Sequence, residues 1–471
     1  MAVLEVLQEI LSTPSILVGI VALVGLILQK KPIEDVVKGT IKTIVGFLVL
    51  SAGSAFLQSG SLNDFGTLFN FAFNVEGVVP NNEAIVTAGL VEYAGPTALI
   101  MCFGMLANII MARFSRWNYI FLTGHHTLYM ACLIAVVLSV GGLSGAPLVI
   151  GGSLILGLVM ALFPAMAQKT MTKLTGTDTI GFGHFSTIGY WFAAQVGKLT
   201  SLKARKEGKK VKSTEDINFP QRLSFMRDNT VAISVTMMVL FIIVTAVAST
   251  KPGFDKLEIN MFAEGSSYKT WFTYALISGM NFAGGIYIIL SGVRMILAEI
   301  VPAFKGIADK LVPNAKPAID CPVVFPYAPN AVLIGFIVSF VGGIVGMFAL
   351  FGIKAIGIAV PIILPGVVPH FFCGATAGVF ANTEGGLKGC IVGSFLHGLL
   401  ITFLPVITMP VLGALNFAST TFSDADFCGT GIVLGNIARF VSGNLLLVVC
   451  IVFFAIPIIY NFVAPKKNKA E

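Results

Sequence analysis

The sequence predicts an all-α polytopic membrane protein of about eleven transmembrane helices, with two re-entrant hairpins and an inverted repeat. Three observations predict it. Of 471 residues, 56% are hydrophobic and only 11% are charged, whereas soluble domains carry about 25% charged residues. Apolar runs near the length needed to cross a bilayer recur along the whole chain. These runs are continuous rather than alternating, which argues against a transmembrane β-barrel.

Taken in order, the expected spans are 14–29, 40–58, 95–113, 118–141, 145–166, 230–250, 271–295, 330–351, 355–380, 389–412 and 432–463. The opening "MAVLEVLQEILSTP" carries Glu5 and Glu9 and no early base, so the first span is expected to be retained rather than cleaved. Basic residues follow alternate spans: Lys30, Lys31 and Lys38; Arg113 and Arg116; Lys198 to Lys212; Arg294, Lys305, Lys310 and Lys316; Lys388; and Lys466, Lys467 and Lys469. Segments 59–94 and 413–431 carry acids and no Lys or Arg. The positive-inside rule then places the N-terminus outside and the C-terminus in the cytoplasm. The formal charge of +7 comes largely from the loop "GKLTSLKARKEGKKVKS" and the tail "PKKNKAE", so it marks cytoplasmic loops and not nucleic-acid binding. Segment 168–229 is the longest hydrophilic stretch. Its Gly-rich, aromatic first part, "TGTDTIGFGHFSTIGYWFAAQ", is expected to dip into the membrane.

Short matches recur at a nearly constant offset. "FLVLSAGSAFL" resembles "IYIILSGVRMIL", "PNNE" resembles "PAID", and "TGHH" falls where "LPGVVPH" does. Matching elements lie five spans apart. An odd offset reverses direction in the membrane, so residues 1–229 and 230–471 are expected to be inverted repeats, the second carrying an extra C-terminal helix. Such repeats mark transporters whose substrate sits on broken helices near the midplane.

Polar residues in apolar surroundings give the candidate site. Glu83 is either an outer-loop acid or a hairpin tip reaching the site; its match with Asp320 favours the second. Asp320 lies among Pro317, Pro322, Pro326 and Pro329, which prevent a regular helix. It could cap a turn or accept hydrogen bonds from a polyhydroxylated ligand. His125 and His184 each follow a glycine, which permits close backbone approach. His126 should point elsewhere and receives no role; His370 and His397 read as structural. Pro365-Gly366 is a kink or a break that exposes backbone. Ser54 offers a hydroxyl or serves as helix-packing glue. Arg294 and Glu299 read as snorkelling residues or a local ion pair. The seven cysteines include no C-x-x-C pair, so neither a disulfide framework nor a metal centre is expected. No nucleotide-binding, zinc-hydrolase or Ser-nucleophile motif occurs, and no cofactor is expected.

At these residues the chain resembles the membrane (IIC) component of the L-ascorbate permeases of the bacterial phosphoenolpyruvate-dependent phosphotransferase system. The resemblance rests on "KGTIKTIVGF" with "AGS", "LTGH", "GVRM" with "AE", "AID" with "APNAV", and "ATAGVFAN", in order over almost the whole chain. It implies a homodimer of eleven-span protomers in the bacterial inner membrane. Each protomer would have a core domain holding substrate and a scaffold domain making the dimer contact. It implies sugar uptake by alternating access, coupled to phosphorylation by cytoplasmic IIB and IIA partners, with no self-contained catalytic site in this chain. Substrate contacts carry over onto Ser54, His125, His184, Asp320 and Gly366. Four positions depart from the family pattern. Tyr129 and Phe185 stand where the family has Gln, and Asn82-Glu83 replaces a Thr-Tyr pair. An added carboxylate would repel an ascorbate monoanion, so a neutral sugar or polyol is the alternative substrate. An ion-coupled secondary transporter is the alternative mechanism, and a channel is a third.

Overall fold

A computed structural model describes residues 14–28, 30–74, 77–217, 225, 228–417 and 419–463. The chain is mostly helical. Among the described residues, eight helices are long and apolar enough to cross a membrane, and a shorter apolar helix spans Gly124–Val140. The N-terminal acids and the tail lysines lie outside the described residues.

The helices fall into two packing groups. Helices Pro14–Leu28, Ile33–Leu57, Asn229–Ser249 and Trp271–Leu311 pack chiefly on one another. In the other group, Asn82–Phe114 packs on Gly124–Val140 and Gly145–Thr175. Ala375–Thr408 packs between Thr187–Lys206 and Pro329–Ala355. Glycine makes the closest crossings possible: a Cβ on Gly342 would stand 2.3 Å from the Phe395 carbonyl oxygen.

Among the described residues, six very short strands organise the second group: β1 Gly77–Pro80, β2 Tyr119–Phe121, β3 Gly181–Phe182, β4 Lys316–Ile319, β5 Ile362–Ile363 and β6 Thr420–Thr421. They form two three-stranded sheets, in the orders β5-β1-β6 and β2-β4-β3, with every pair parallel. The first strands of the two halves, β1 and β4, start about 240 residues apart, as do β2 with β5 and β3 with β6. Each half therefore gives its first strand as the centre of one sheet and its other two as the edges of the other sheet. Extended backbone buried in an apolar protein needs hydrogen-bond partners. Here each half supplies them to the other.

Several expected boundaries are corrected. The helix expected at 95–113 begins at Asn82, because the Asn81 side chain caps it by accepting from Ala84 N–H at 2.7 Å. Pro96 then lies inside it, one turn past the non-helical Tyr93. The expected span 355–380 is not one helix. The preceding helix ends at Ala355, Gly357 adopts φ +90°, and the chain runs extended through β5 to the Pro365-Gly366 break. Helix resumes at Val367 and continues, through a wide turn at His370–Gly374 and a kink at Gly386, to Thr408. The expected span 432–463 is two helices, Ala425–Phe440 and Asn444–Val463, separated at Gly443 with φ +56°. Within 168–229, the Gly-rich part is β3 followed by helix Thr187–Lys206.

Candidate functional site

All six strands lead, within a few residues, to the wall of one cavity of about 250 Å³. After β1 come Asn82 and Glu83; after β2, His125, His126 and Tyr129; after β3, His184. After β4 comes Asp320; after β5, Val368 and Pro369; after β6, Asp424. Strand ends that turn into helix starts bring side chains from both halves to one place.

The polar groups form a connected set. Asn82 Nδ2 donates to Asp424 Oδ1 at 2.7 Å, and Ser423 Oγ donates to the same oxygen at 2.7 Å. Asn82 Oδ1 accepts from Ser423 N–H at 2.9 Å. His184 Nδ1 lies 2.8 Å from Tyr190 Oη and 3.9 Å from Asp424 Oδ2. Asp320 stands between two imidazoles: His125 Nε2 is 3.6 Å from Oδ2, and His184 Nε2 is 3.9 Å from Oδ1. Cys321 N–H donates to Asp320 Oδ1 at 2.7 Å. Two cavity-wall groups, Glu83 Oε2 and Tyr129 Oη, are buried without a hydrogen-bond partner among the described residues. Buried polar atoms without partners are costly, and a hydroxyl-rich ligand would satisfy both.

Six of the nine expected residues line this cavity: Asn82, Glu83, His125, Tyr129, His184 and Asp320. Phe185 does not. It is fully buried, stacks on Phe121 with ring centroids 4.4 Å apart, and donates its N–H to His126 Nδ1 at 3.1 Å. Its place is behind a cavity residue. Gly366 is not on the wall either. A Cβ there would meet the Pro80 carbonyl oxygen at 2.7 Å, so it is a point of close backbone approach that lets Val368 and Pro369 face the cavity. Ser54 lies in helix Ile33–Leu57, and its side chain falls outside the described residues, as does that of Glu299.

Sequence reasoning missed four residues: His126, Asp424, Asp426 and Arg294. His126 faces the cavity, with its ring 3.9 Å from that of His184 and stacked on Phe427. At the first turn of a helix, adjacent side chains can both border a cavity that the backbone is only just entering. Asp424 and Asp426 are the acids of segment 413–431, which the positive-inside rule places outside, yet both are buried. The signal was present: "TTFSDADF" sits, relative to β6, where "GFGHFSTI" sits relative to β3. Arg294, read as snorkelling, lines the cavity from helix Trp271–Leu311. His370 and His397 are joined through Ser339 Oγ at 2.9 and 3.3 Å and stay off the wall.

Residues 9–426 match the family model described as the sugar-specific permease component of the PTS system. The chain is 29% identical over 465 residues to the ascorbate-specific PTS system EIIC component of Mycoplasma pneumoniae, a match covering 89% of this chain and 67% of that one. With a family match over most of its length, and a helical membrane-type fold around one polar cavity, the chain belongs to the family of sugar-specific permease components of the phosphotransferase system.

Proposed function

We propose that this permease component takes up L-ascorbate or a closely related sugar, and that cytoplasmic IIB, recharged by IIA, phosphorylates it on release. The observation that carries the reading is the convergence of six strand ends from both halves on one small polar cavity. Asn82, Glu83, His125, Tyr129, His184 and Asp320 are the proposed sugar contacts, joined by Asp424. Gly366 shapes the wall, Phe185 backs it, and Ser54 stays a contact by resemblance alone. Imidazoles and carboxylates suit ring hydroxyls because they can donate and accept in fixed directions. A cavity of about 250 Å³ is smaller than a drug-sized pocket and suits one monosaccharide.

The same proposal includes eleven spans with two re-entrant hairpins, formed from the strand-containing segments. The repeats are residues 1–229 and 230–471, and the swapped strand pairing supports them. The helix group containing the cavity would be the moving core. The group containing Trp271–Leu311 would be the scaffold and the homodimer contact, and alternating access would carry the core past it. The N-terminus would lie outside and the C-terminus in the cytoplasm of a bacterial inner membrane.

A neutral sugar or polyol is the second reading, favoured by three carboxylates on the wall, those of Glu83, Asp320 and Asp424. The monoanion reading relies on Arg294, on the same wall, to offset them. A thermal-shift panel of ascorbate against pentitols, hexitols and pentoses separates the two, since a ligand of the native state raises its melting temperature. Uptake into vesicles should require IIA, IIB and phosphoenolpyruvate and deliver phosphorylated sugar. Uptake that persists without them and collapses with an uncoupler would instead select ion coupling.

A further inference from the structure

The geometry points to a divalent transition-metal site in the cavity, of the kind that takes Zn²⁺, formed by His184 Nε2, the Asp320 carboxylate and Cys321 Sγ. These three donors lie within 4.8 Å of one another. Local sequence spacing gives no sign of it, because the histidine and the Asp-Cys pair come from different halves of the chain.

Distances favour shared ligation over pairing. His184 Nε2 and Asp320 Oδ1 are 3.9 Å apart, too far for a hydrogen bond. Two donors on one tetrahedral zinc ion stand roughly 3.3–3.8 Å apart, given Zn–N, Zn–O and Zn–S bonds of about 2.0–2.3 Å. A small side-chain adjustment therefore closes the shell. Imidazole, carboxylate and thiolate together are a borderline-soft donor set that suits zinc rather than magnesium or calcium.

Proton placement selects this trio from its neighbours. His126 also lies among the cavity donors. Its Nδ1 accepts Phe185 N–H at 3.1 Å, so a neutral ring carries its own proton on Nε2 and has no lone pair to give. His184 is arranged the other way. Its Nδ1 faces Tyr190 Oη at 2.8 Å, and the tautomer that fits the site donates Nδ1–H to that phenol oxygen. That leaves the Nε2 lone pair facing Asp320 and Cys321. A ligating histidine whose other ring nitrogen donates to a fixed acceptor is the usual outer arrangement of zinc sites. Cys321 is buried beside them. On binding, its S–H bond breaks, Sγ bonds to the ion and the proton leaves to solvent. The fourth position falls to water.

The test needs no sugar, so its failure leaves the transport reading untouched. The purified full-length protein is titrated with Zn²⁺ calorimetrically and with Cd²⁺ by the ultraviolet thiolate-to-metal band. One ion per chain and a thiolate band are expected. Cys321→Ser should abolish the band, and His184→Gln should weaken Zn²⁺ binding at least about tenfold. Cys450→Ser, which removes a thiol far along the chain in the C-terminal helix, should change neither. Melting curves without metal establish that each variant is folded. A band that survives in folded Cys321→Ser, Zn²⁺ affinity unchanged in folded His184→Gln, or no binding by the wild type at micromolar Zn²⁺ would overturn the site.

Discussion

The Asp426 carboxylate caps the helix that begins at Thr187, accepting from Thr187 N–H at 2.8 Å and from Ile188 N–H at 2.6 Å. The favour is returned. Ser186 Oγ accepts from Ala425 N–H at 3.1 Å, at the start of the helix that carries Asp426. Phe185 C=O accepts from Asp426 N–H at 3.2 Å. Two helix starts from opposite halves of the chain thus satisfy each other's orphan donors. His184 precedes one start and Asp424 precedes the other, so this reciprocal capping fixes the spacing of two cavity residues.

Asp426→Ala should therefore act on both stability and the site. It leaves two buried N–H groups without partners, at about 1–3 kcal/mol each, and frees the helix start that follows His184. A clear fall in melting temperature in detergent is expected, with loss of ligand-induced stabilisation. Asp426→Asn keeps one accepting oxygen and should lie between the two. Wild-type melting in Asp426→Ala would show that the cap contributes nothing.

Gly366 can be tested against a control glycine with open space around it. An added methyl there meets the Pro80 carbonyl oxygen at 2.7 Å, and backbone gives way poorly. Gly366→Ala should cost about 1–3 kcal/mol, the usual range for overpacking, and reduce uptake by displacing β1 from β5. Gly352 lies near the end of a helix with nothing within 4 Å of such a methyl. Gly352→Ala should be neutral or stabilise by up to about 1 kcal/mol through helix propensity. Equal melting temperatures for the two variants would refute the close-approach argument.

These contacts also explain what could and could not be read from the sequence. Polarity follows composition, which is additive along the chain, so the long apolar helices were legible as such, but both ends were placed within a few residues only for Pro14–Leu28, Asn229–Ser249 and Pro329–Ala355. His125, His184, Asp320 and Glu83 stood out because each interrupts an apolar run. What failed was tertiary. Nothing local says that Asp424 accepts from Asn82 far upstream, or that "TTFSDADF" is a strand end and not an outer loop. The strands are two to four residues long, too short for a period-2 pattern to emerge. Only the near-constant offset between halves hinted at them.

Away from the membrane spans, Asp178 ties the loop before β3 to the first residue of β4. Its Oδ2 accepts from Lys316 Nζ at 2.7 Å, and its Oδ1 from Gln168 Nε2 at 2.9 Å. The Lys316 ammonium holds the Asp178 carboxyl below the usual carboxylate range. A depressed carboxylate stabilises the fold fully above its unfolded value, about 3.9, and loses that contribution as pH falls through the folded one. The group is well exposed, so the contribution is under about 1 kcal/mol. Asp178→Asn should lower the melting temperature slightly and equally from pH 5 to pH 8, with the gap to wild type closing below about pH 4. A gap that widened toward acid would contradict the ion pair.

Glu83 gives the sharpest test of the substrate's charge. It lines the cavity with Oε2 buried and unpartnered, and Asp424 shares the wall. Glu83→Gln keeps the shape and removes the charge. If the substrate is a neutral polyol, the carboxylate is a strong acceptor for its hydroxyls. The variant should then lose polyol affinity about tenfold, roughly 1.4 kcal/mol, as expected for a hydrogen bond to a charged group. Ascorbate, repelled by the wild-type charge, should bind the variant better. If the substrate is the ascorbate monoanion balanced by Arg294, wild type should bind ascorbate tightly and Glu83→Gln should not improve it. In that case Arg294→Gln is the damaging change, because it leaves three carboxylates facing an anion. Titration calorimetry of both ligands on wild type and the two variants reads the outcome directly. Tight ascorbate binding by wild type, undiminished by Glu83→Gln, would eliminate the neutral-sugar reading.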